Sequence, residues 1–216
     1  KGFTALCIGC RMCCSGRNWT VSDIRYITRG NNTMKHLNAG ELEQGLEKIR
    51  RSPQDNGTVE MIVRRPDVDE REILVQAELD MVQGLVGDTW MSRGSSRTSD
   101  GSAHPDMQLN IMNARVIALV ATSREQWPLA GDQLFIDLDL SGDNLPPGTQ
   151  LTLGTAIIEV TGIPHTGCKK FVARFGLDAV KFVNSDIGKT LKLRGINAKV
   201  VKPGIVRQGD TVKKCI

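Results

Sequence analysis

Apolar residues alternate with polar ones, or gather in short runs between turns, over most of the chain beyond residue 57. A period of two places successive side chains on opposite faces of a strand, and short apolar runs bounded by turn residues are typical of buried strands. The pattern therefore predicts a mainly β domain. The predicted strands lie at residues 58–63, 73–79, 109–121, 133–140, 150–161 and 196–201.

Many short strands with little helix favour a closed barrel, because closure removes the exposed strand edges on which chains aggregate. We therefore expect a β-barrel with a few short peripheral helices, and a β-sandwich is the alternative. One helix is predicted before the first strand. Asn38 and Glu41 have the spacing of a capping box, and an apolar stripe follows at Leu42, Leu46 and Ile49.

The first 35 residues differ in composition from the rest of the chain. They carry six Lys or Arg residues and one acidic residue, so a charge of +5 lies in this segment and −1 in the remainder of a chain whose net charge is +4. We interpret residues 1–35 as an N-terminal extension outside the fold and residues 36–216 as a single domain. A nearly neutral domain, in a chain with 4% aromatic residues, lacks the basic surface and stacking platforms of a nucleic-acid binder.

The longest apolar runs are much shorter than the ~20 residues that a membrane-spanning helix needs, and the chain does not begin with a secretory signal. Four of its six cysteines lie in the extension, so no disulfide framework is expected in the domain. We therefore expect a cytoplasmic protein without membrane or nucleic-acid partners. The alternative is that the basic extension targets the chain to mitochondria.

The cysteines of the extension, Cys7, Cys10, Cys13 and Cys14, resemble part of an iron–sulfur or zinc motif. The fourth thiol directly follows the third and no proline comes after it, which departs from the ferredoxin spacing. Three interpretations of this segment follow. It binds a metal, it is a targeting sequence, or it lies upstream of a translation start at Met34.

The strongest local candidate for chemistry is Cys168, in the sequence PHTGCKKF at residues 164–171. Thr166 is predicted to cap a helix, which places Cys168 in the first turn, where unpaired N–H groups favour a thiolate. The helix dipole contributes ~0.3–1 kcal/mol, less than the 1.36 kcal/mol of one pKa unit. Lys169 and His165 could add positive charge, and the alternative is a buried, unreactive cysteine.

A second polar cluster follows the Ser- and Gly-rich stretch at residues 91–103, which we interpret as a surface loop. It contains His104, Asp106 and Asn110, and the alternative for this cluster is an ordinary surface turn. The preceding loop supplies Arg93 and Arg97, whose guanidinium groups could hold a phosphate or another anion.

These segments, together with GLVGDTW at residues 84–90, GDQLFIDLDL at 131–140 and LRGINAKVV at 193–201, resemble the MOSC domain family. The family is named for the C-terminal domain of molybdenum cofactor sulfurase, and the resemblance covers residues 34–213. It implies a small stand-alone β-barrel in which Cys168 either ligates molybdenum or carries sulfur. The implied cofactor-binding residues are Asp88, Arg93, Arg97, His104, Asp106, Asn110, Thr166 and Lys169.

The resemblance also implies cofactors and partners. They are molybdenum cofactor, and pyridoxal phosphate either here or in a cysteine desulfurase that donates the sulfur. A molybdoenzyme is the other expected partner. No lysine stands in a context that suggests a Schiff base with pyridoxal phosphate.

Three functions follow as hypotheses. The first is a molybdenum-cofactor-binding protein or sulfur carrier acting through Cys168. The second is a molybdenum-dependent reductase of N-hydroxylated compounds, although that branch of the family typically has a separate N-terminal β-barrel domain for which we find no room. The third is a hydrolase that pairs Cys168 with His165 or His104.

Overall fold

The computed structural model describes residues 24–26 and 36–215. The predicted cysteine metal site lies outside the described residues. Among those residues, none of the helices has the length and apolar character that a bilayer crossing requires.

The described residues contain twelve strands and six α-helices. The strands are Ile24–Tyr26 (β1), Gly57–Arg64 (β2), Glu72–Leu74 (β3), Gln76–Asp80 (β4), Gly84–Leu85 (β5), Leu109–Asn113 (β6), Leu134–Asp137 (β7), Gln150–Leu153 (β8), Ala156–Val160 (β9), Ile196–Lys202 (β10), Gly204–Arg207 (β11) and Thr211–Lys214 (β12). The helices are Ala39–Gln44 (α1), Leu46–Arg50 (α2), Trp90–Arg93 (α3), Ala114–Ala121 (α4), Lys169–Asn184 (α5) and Asp186–Thr190 (α6), with 3-10 turns at Pro105–Met107 and Arg124–Ala130.

Seven of the strands close into a barrel. Their order is β2-β12-β8-β9-β10-β6-β7, and β7 pairs back to β2. The β6–β7 pair is parallel and the other six pairs are antiparallel. The prediction of a mainly β barrel with short peripheral helices is therefore confirmed, and the alternative of a sandwich is wrong.

Two further groups of strands lie outside the closed ring. β3 and then β1 extend the sheet from β2, while β11, β4 and β5 form a separate sheet. β1 falls within the predicted N-terminal extension and pairs with β3. The boundary of the domain at residue 36 stays a prediction.

The apolar residues form two clusters that share the barrel wall. In β2, Ile62 belongs to a cluster of strand residues, whereas its neighbours Met61 and Val63 belong to a cluster that includes α4 and α5. Because side chains alternate along a strand, one face of β2 fills the strand cluster and the other packs against helices. The helices thus cover part of the outside of the sheet.

Four predicted elements differ in the structure. The strands predicted at residues 73–79 and 150–161 are each divided in two, the first into β3 and β4 and the second into β8 and β9. The strand predicted at residues 109–121 ends at Asn113, and α4 follows. The buried Asn113 side chain accepts hydrogen bonds from the N–H groups of Arg115 and Val116 and so caps that helix. A short apolar run does not distinguish a strand from a buried helix by its period alone. The predicted N-terminal helix is confirmed with its Asn38–Glu41 capping box, but it is divided into α1 and α2.

Candidate functional site

Cys168 is the residue immediately before α5. Its backbone is extended, with φ −118° and ψ −179°, and its carbonyl accepts the first helical hydrogen bond, from the N–H of Val172 at 3.1 Å. The prediction that Thr166 caps this helix is therefore wrong. The chain stays extended for two residues longer than expected, and Cys168 itself takes the cap position.

Cys168 is exposed, so the alternative of a buried cysteine is wrong, whereas its reactivity stays a prediction. The side chain of Cys168 does not cap the N–H groups at the start of α5, so these groups could bind an anion. Lys169 and Lys170 occupy the first two helical positions and are exposed. The start of α5 is therefore positively charged around an accessible sulfur atom.

A cavity of about 240 Å³ lies beside this helix start. Arg65, Arg71, Arg93 and Lys170 line it, together with the carboxylates of Asp67 and Asp69. We call it the cationic cavity. Asp88 already neutralises Arg65, so three further positive side chains stand against two carboxylates. This balance suits the cavity to an anionic ligand, and guanidinium groups bind phosphate or carboxylate through paired hydrogen bonds.

Arg71 shows how closely the positive charges are packed. Burial, together with the positive charges of Arg174 and Arg65, lowers the pKa of Arg71 to about 10. Its Nε donates to the carbonyl of Pro128 at 3.2 Å, while Arg174 donates to the carbonyl of Leu129 at 2.7 Å. An anion bound here would relieve the repulsion between these guanidinium groups.

Asp88, which the sequence places among the cofactor-binding candidates, is a buried partner of Arg65. Its side chain is 0% exposed and that of Arg65 is 4% exposed. The carboxylate accepts from Nε and Nη2 of Arg65 at 2.8 and 2.7 Å and from the N–H of Trp90 at 2.9 Å. Asp88 therefore orients an arginine of the cationic cavity.

Asn110 extends this buried network towards the cysteine segment. Its Oδ1 accepts from Nη1 of Arg65 at 3.2 Å, and its Nδ2 donates to Oδ1 of Asn197 at 2.7 Å. Asn197 in turn donates to the carbonyl of Ile163 at 2.9 Å. A continuous chain of hydrogen bonds thus runs from the cationic cavity to the strand end that precedes Cys168.

His104 and Asp106 instead have partners outside the cationic cavity. Nδ1 of His104 accepts from the N–H of Asp106 at 3.2 Å and caps a 3-10 turn. The carboxylate of Asp106 lies 3.6 Å from Nζ of Lys199. Neither residue lines the cationic cavity, and Arg97, exposed in its loop, does not line it either. Of the predicted basic loop residues, only Arg93 does.

His165 packs against a buried ion pair. Arg194 donates to both carboxylate oxygens of Asp132 at 2.9 and 2.8 Å, and Nδ1 of His165 lies 3.6 Å from Oδ1 of Asp132. Burial, and then the charges of Arg194 and Arg65, lowers the pKa of His165 well below its usual value. Burial raises the pKa of Asp132, and Arg194 opposes that effect.

The candidate histidines and the thiol are not joined directly. Among the described residues, no hydrogen bond connects Cys168 with His104 or His165. Within residues 24–26 and 36–215, no three His, Cys, Asp or Glu side chains come together as a metal-binding group. Cys168 is thus a single exposed thiol two residues before Lys170, which lines the cationic cavity. Sequence reasoning missed Arg65, Arg71 and Asn197, because nothing in their local sequence distinguishes them from surface residues.

Comparisons with known proteins agree with this fold. A family model of the MOSC domain matches residues 98–213, more than half of the chain. The structure of the YuaD protein from Bacillus subtilis superposes with a TM-score of 0.56 at 16% identity, over 74% of this chain and 95% of that one. YiiM from Geobacillus stearothermophilus superposes with a TM-score of 0.50 at 12% identity, over 74% and 75% of the two chains. YiiM from Escherichia coli gives 0.47 at 20% identity, over 74% and 70%. No curated protein sequence matches the chain.

Proposed function

Because the chain belongs to the MOSC domain family, which relates to molybdenum cofactor chemistry, we propose that it binds molybdenum cofactor with the thiolate of Cys168 as a ligand of the metal. The observation that carries the proposal is the placement of an exposed thiol at the start of α5, two residues before Lys170, which lines the cationic cavity. Thiolates are the soft ligands that suit such a metal centre.

The side chains fit the chemistry of this cofactor. Its pterin carries a phosphate group, and the cationic cavity offers Arg71, Arg93 and Lys170 as phosphate ligands, with the buried Arg65 behind them. Asp88 and Asn110 hold Arg65 in place from the buried side. When bound, the cofactor would supply two-electron redox or atom-transfer chemistry, and the chain would supply the thiolate, the anion site and a fixed orientation.

The other candidate residues differ in the part that this proposal gives them. Thr166 and Lys169 are exposed on either side of Cys168, so they would contact whatever the sulfur binds. His104 and Asp106 stay predictions, whereas Arg97 does not line the cationic cavity and has no role in this proposal. We propose that residues 36–216 act as one domain in the cytoplasm, with a molybdoenzyme or a cysteine desulfurase as partner. Pyridoxal phosphate is assigned to that desulfurase.

The proposal is tested by the metal content of protein purified from a host that makes molybdenum cofactor. We expect wild type to carry molybdenum and a fluorescent pterin, and Cys168→Ser to lose about tenfold or more of the molybdenum, since a metal ligand is removed. The matched control is Cys215→Ser, which changes a half-buried cysteine just after the end of β12 and should leave the content unchanged. Wild type without molybdenum and pterin would refute the proposal.

The cationic cavity provides a second prediction. Arg93→Gln removes a cavity-lining charge, so pterin retained after gel filtration should fall by about tenfold, the size of a lost charge-assisted hydrogen bond. Arg97→Gln removes an equal charge four residues later in the exposed loop and should keep the wild-type amount. Equal losses in both variants would show that only the overall charge matters.

A sulfur carrier is the second candidate, and the exposure of Cys168 favours it, because a donor enzyme needs direct access to the thiol. In that step the Cys168 thiolate attacks the outer sulfur of the donor's persulfide. A new S–S bond forms, the donor's S–S bond breaks, and the donor cysteine leaves as a thiolate. After incubation with a cysteine desulfurase and free cysteine, the mass should increase by one sulfur atom in wild type and not in Cys168→Ser. No mass gain in wild type would exclude this step.

The reductase of N-hydroxylated compounds stays an alternative that would use the same metal ligand. It differs from the first proposal in a measurable way, because a reductase must turn over its substrate with an external electron donor. The hydrolase is not favoured, since neither histidine hydrogen-bonds to Cys168 among the described residues.

A further inference from the structure

Helix α5 turns back on itself at Gly176. The backbone of this residue has φ 87° and ψ 168°, which interrupts the helix between Phe175 and Leu177. A Cβ atom at this position would lie 2.7 Å from Nδ1 of His36, so both the positive φ and the close packing require glycine. The second half of α5 therefore changes direction and ends at Asn184.

At that end, the carboxamide of Asn184 reaches the residue before Cys168. The N–H of Gly167 donates to Oδ1 of Asn184 at 2.9 Å, and Nδ2 of Asn184 donates to the carbonyl of Gly167 at 3.1 Å. Gly167 also packs against α5, because a Cβ atom there would lie 2.7 Å from Cγ2 of Val180 and 3.1 Å from Cγ2 of Val183. One side chain thus satisfies both backbone groups of one residue.

We propose that Asn184 is a positioning residue for Cys168, acting through Gly167. The N–H of Gly167 belongs to the peptide plane shared with Thr166, and its carbonyl belongs to the plane that contains the Cα atom of Cys168. Fixing both planes leaves the Cys168 side-chain torsion as the main remaining freedom of the thiol. The importance of this geometry for metal or sulfur binding rests on the proposed function, whereas the positioning itself does not.

Positioning determines which charges surround the sulfur atom. With Gly167 held, the thiol stays next to the start of α5, where Lys169 and Lys170 carry positive charge and Lys170 lines the cationic cavity. A freely moving segment would spend less time in this positive potential. An anionic reagent should therefore be favoured over a neutral one of similar size only while Asn184 holds the segment.

The experiment compares alkylation of Cys168 by iodoacetate and by iodoacetamide, read from the Cys168 peptide by mass spectrometry. Asn184→Ala should lower the ratio of the two rates about threefold, as expected when a local positive potential is lost. The matched control is Asn144→Ala. Asn144 also donates to two backbone carbonyls, at 2.9 Å to Gln54 and 2.8 Å to Asp139, but it does not touch the cysteine segment. Its ratio should equal that of wild type, and an unchanged ratio in Asn184→Ala would overturn the proposal.

Two further measurements cover the case in which Asn184→Ala does not fold. Gly167→Ala pushes the segment away from Val180 with Asn184 intact, and it should lower the alkylation ratio in the same way. In wild type, hydrogen exchange should show a protected Gly167 amide, because that N–H is bonded to Asn184. If the Gly167 amide is unprotected in a protein that carries molybdenum, the positioning role of Asn184 is rejected and the proposed function is not. If the amide is protected in a protein that takes up neither molybdenum nor sulfur, the proposed function is rejected and the positioning role is not.

Discussion

Asp88→Ala is expected to lower the free energy of unfolding by about 3–5 kcal/mol, the range seen when one partner of a buried ion pair is removed. The carboxylate of Asp88 accepts from two guanidinium nitrogens of Arg65 and from the N–H of Trp90. Without it, Arg65 keeps a buried positive charge whose remaining bonds reach the neutral oxygens of Asn110 and Gly131. Leaving a buried charge uncompensated costs more than the ion pair contributes when intact.

Urea denaturation followed by circular dichroism measures this loss. The matched control is Asp67→Ala, another aspartate at the cationic cavity, whose side chain is exposed and accepts from the N–H of Val68. Its unfolding free energy should change by less than about 1 kcal/mol. If Asp88→Ala were as stable as wild type and only lost pterin, Asp88 would be a ligand residue, as its place in the motif first suggested.

The local features of this chain were predictable because local rules determine them. The spacing of Asn38 and Glu41 predicts a capping box, and both of its hydrogen bonds form. The period of two predicts the barrel strands. Each of these signals needs only a few neighbouring residues to be read.

The site depends on residues that are distant in sequence. Arg65 meets Asp88 across 23 positions and Asn110 across 45. Arg194 meets Asp132 across 62. The local sequence around either residue of such a pair does not indicate that the residue is buried, because only the closure of the barrel brings the two residues together. A buried arginine is rare enough that no composition rule points to it.

Cys168 shows both what the local sequence predicts and what it does not. The sequence identified Cys168 and the helix after it, because the apolar positions Phe171 and Phe175 have helical spacing. The helix start was misplaced by two residues, since boundaries depend on the exact cap geometry. The contact between Gly167 and Asn184 spans 17 positions and follows from the reversal at Gly176.

Arg194→Met should cost about 3–5 kcal/mol of unfolding free energy at pH 8, because it leaves the Asp132 carboxylate buried without its bidentate partner. Arg194 also packs over the ring of Phe171 with its guanidinium carbon 5.0 Å from the ring centre, and methionine keeps part of that apolar contact. The double variant Asp132→Leu/Arg194→Met removes both charges and should recover most of the loss, since a buried pair replaced by apolar residues is often neutral.

The pH dependence of Arg194→Met separates loss of charge from loss of packing. Burial raises the pKa of Asp132 above its unfolded value of 3.8, and without Arg194 the main opposing charge is gone, leaving Arg65. Between the two pKa values the native state binds more protons than the unfolded state, so the unfolding free energy falls as the pH rises. His165 acts in the same direction. Arg194 is one cause of the lowered pKa of His165, so removing Arg194 raises that pKa. At low pH a protonated imidazole beside Asp132 would then replace the lost positive charge. The deficit relative to wild type should therefore be smaller at pH 5 than at pH 8, whereas a deficit caused by packing alone would be the same at both.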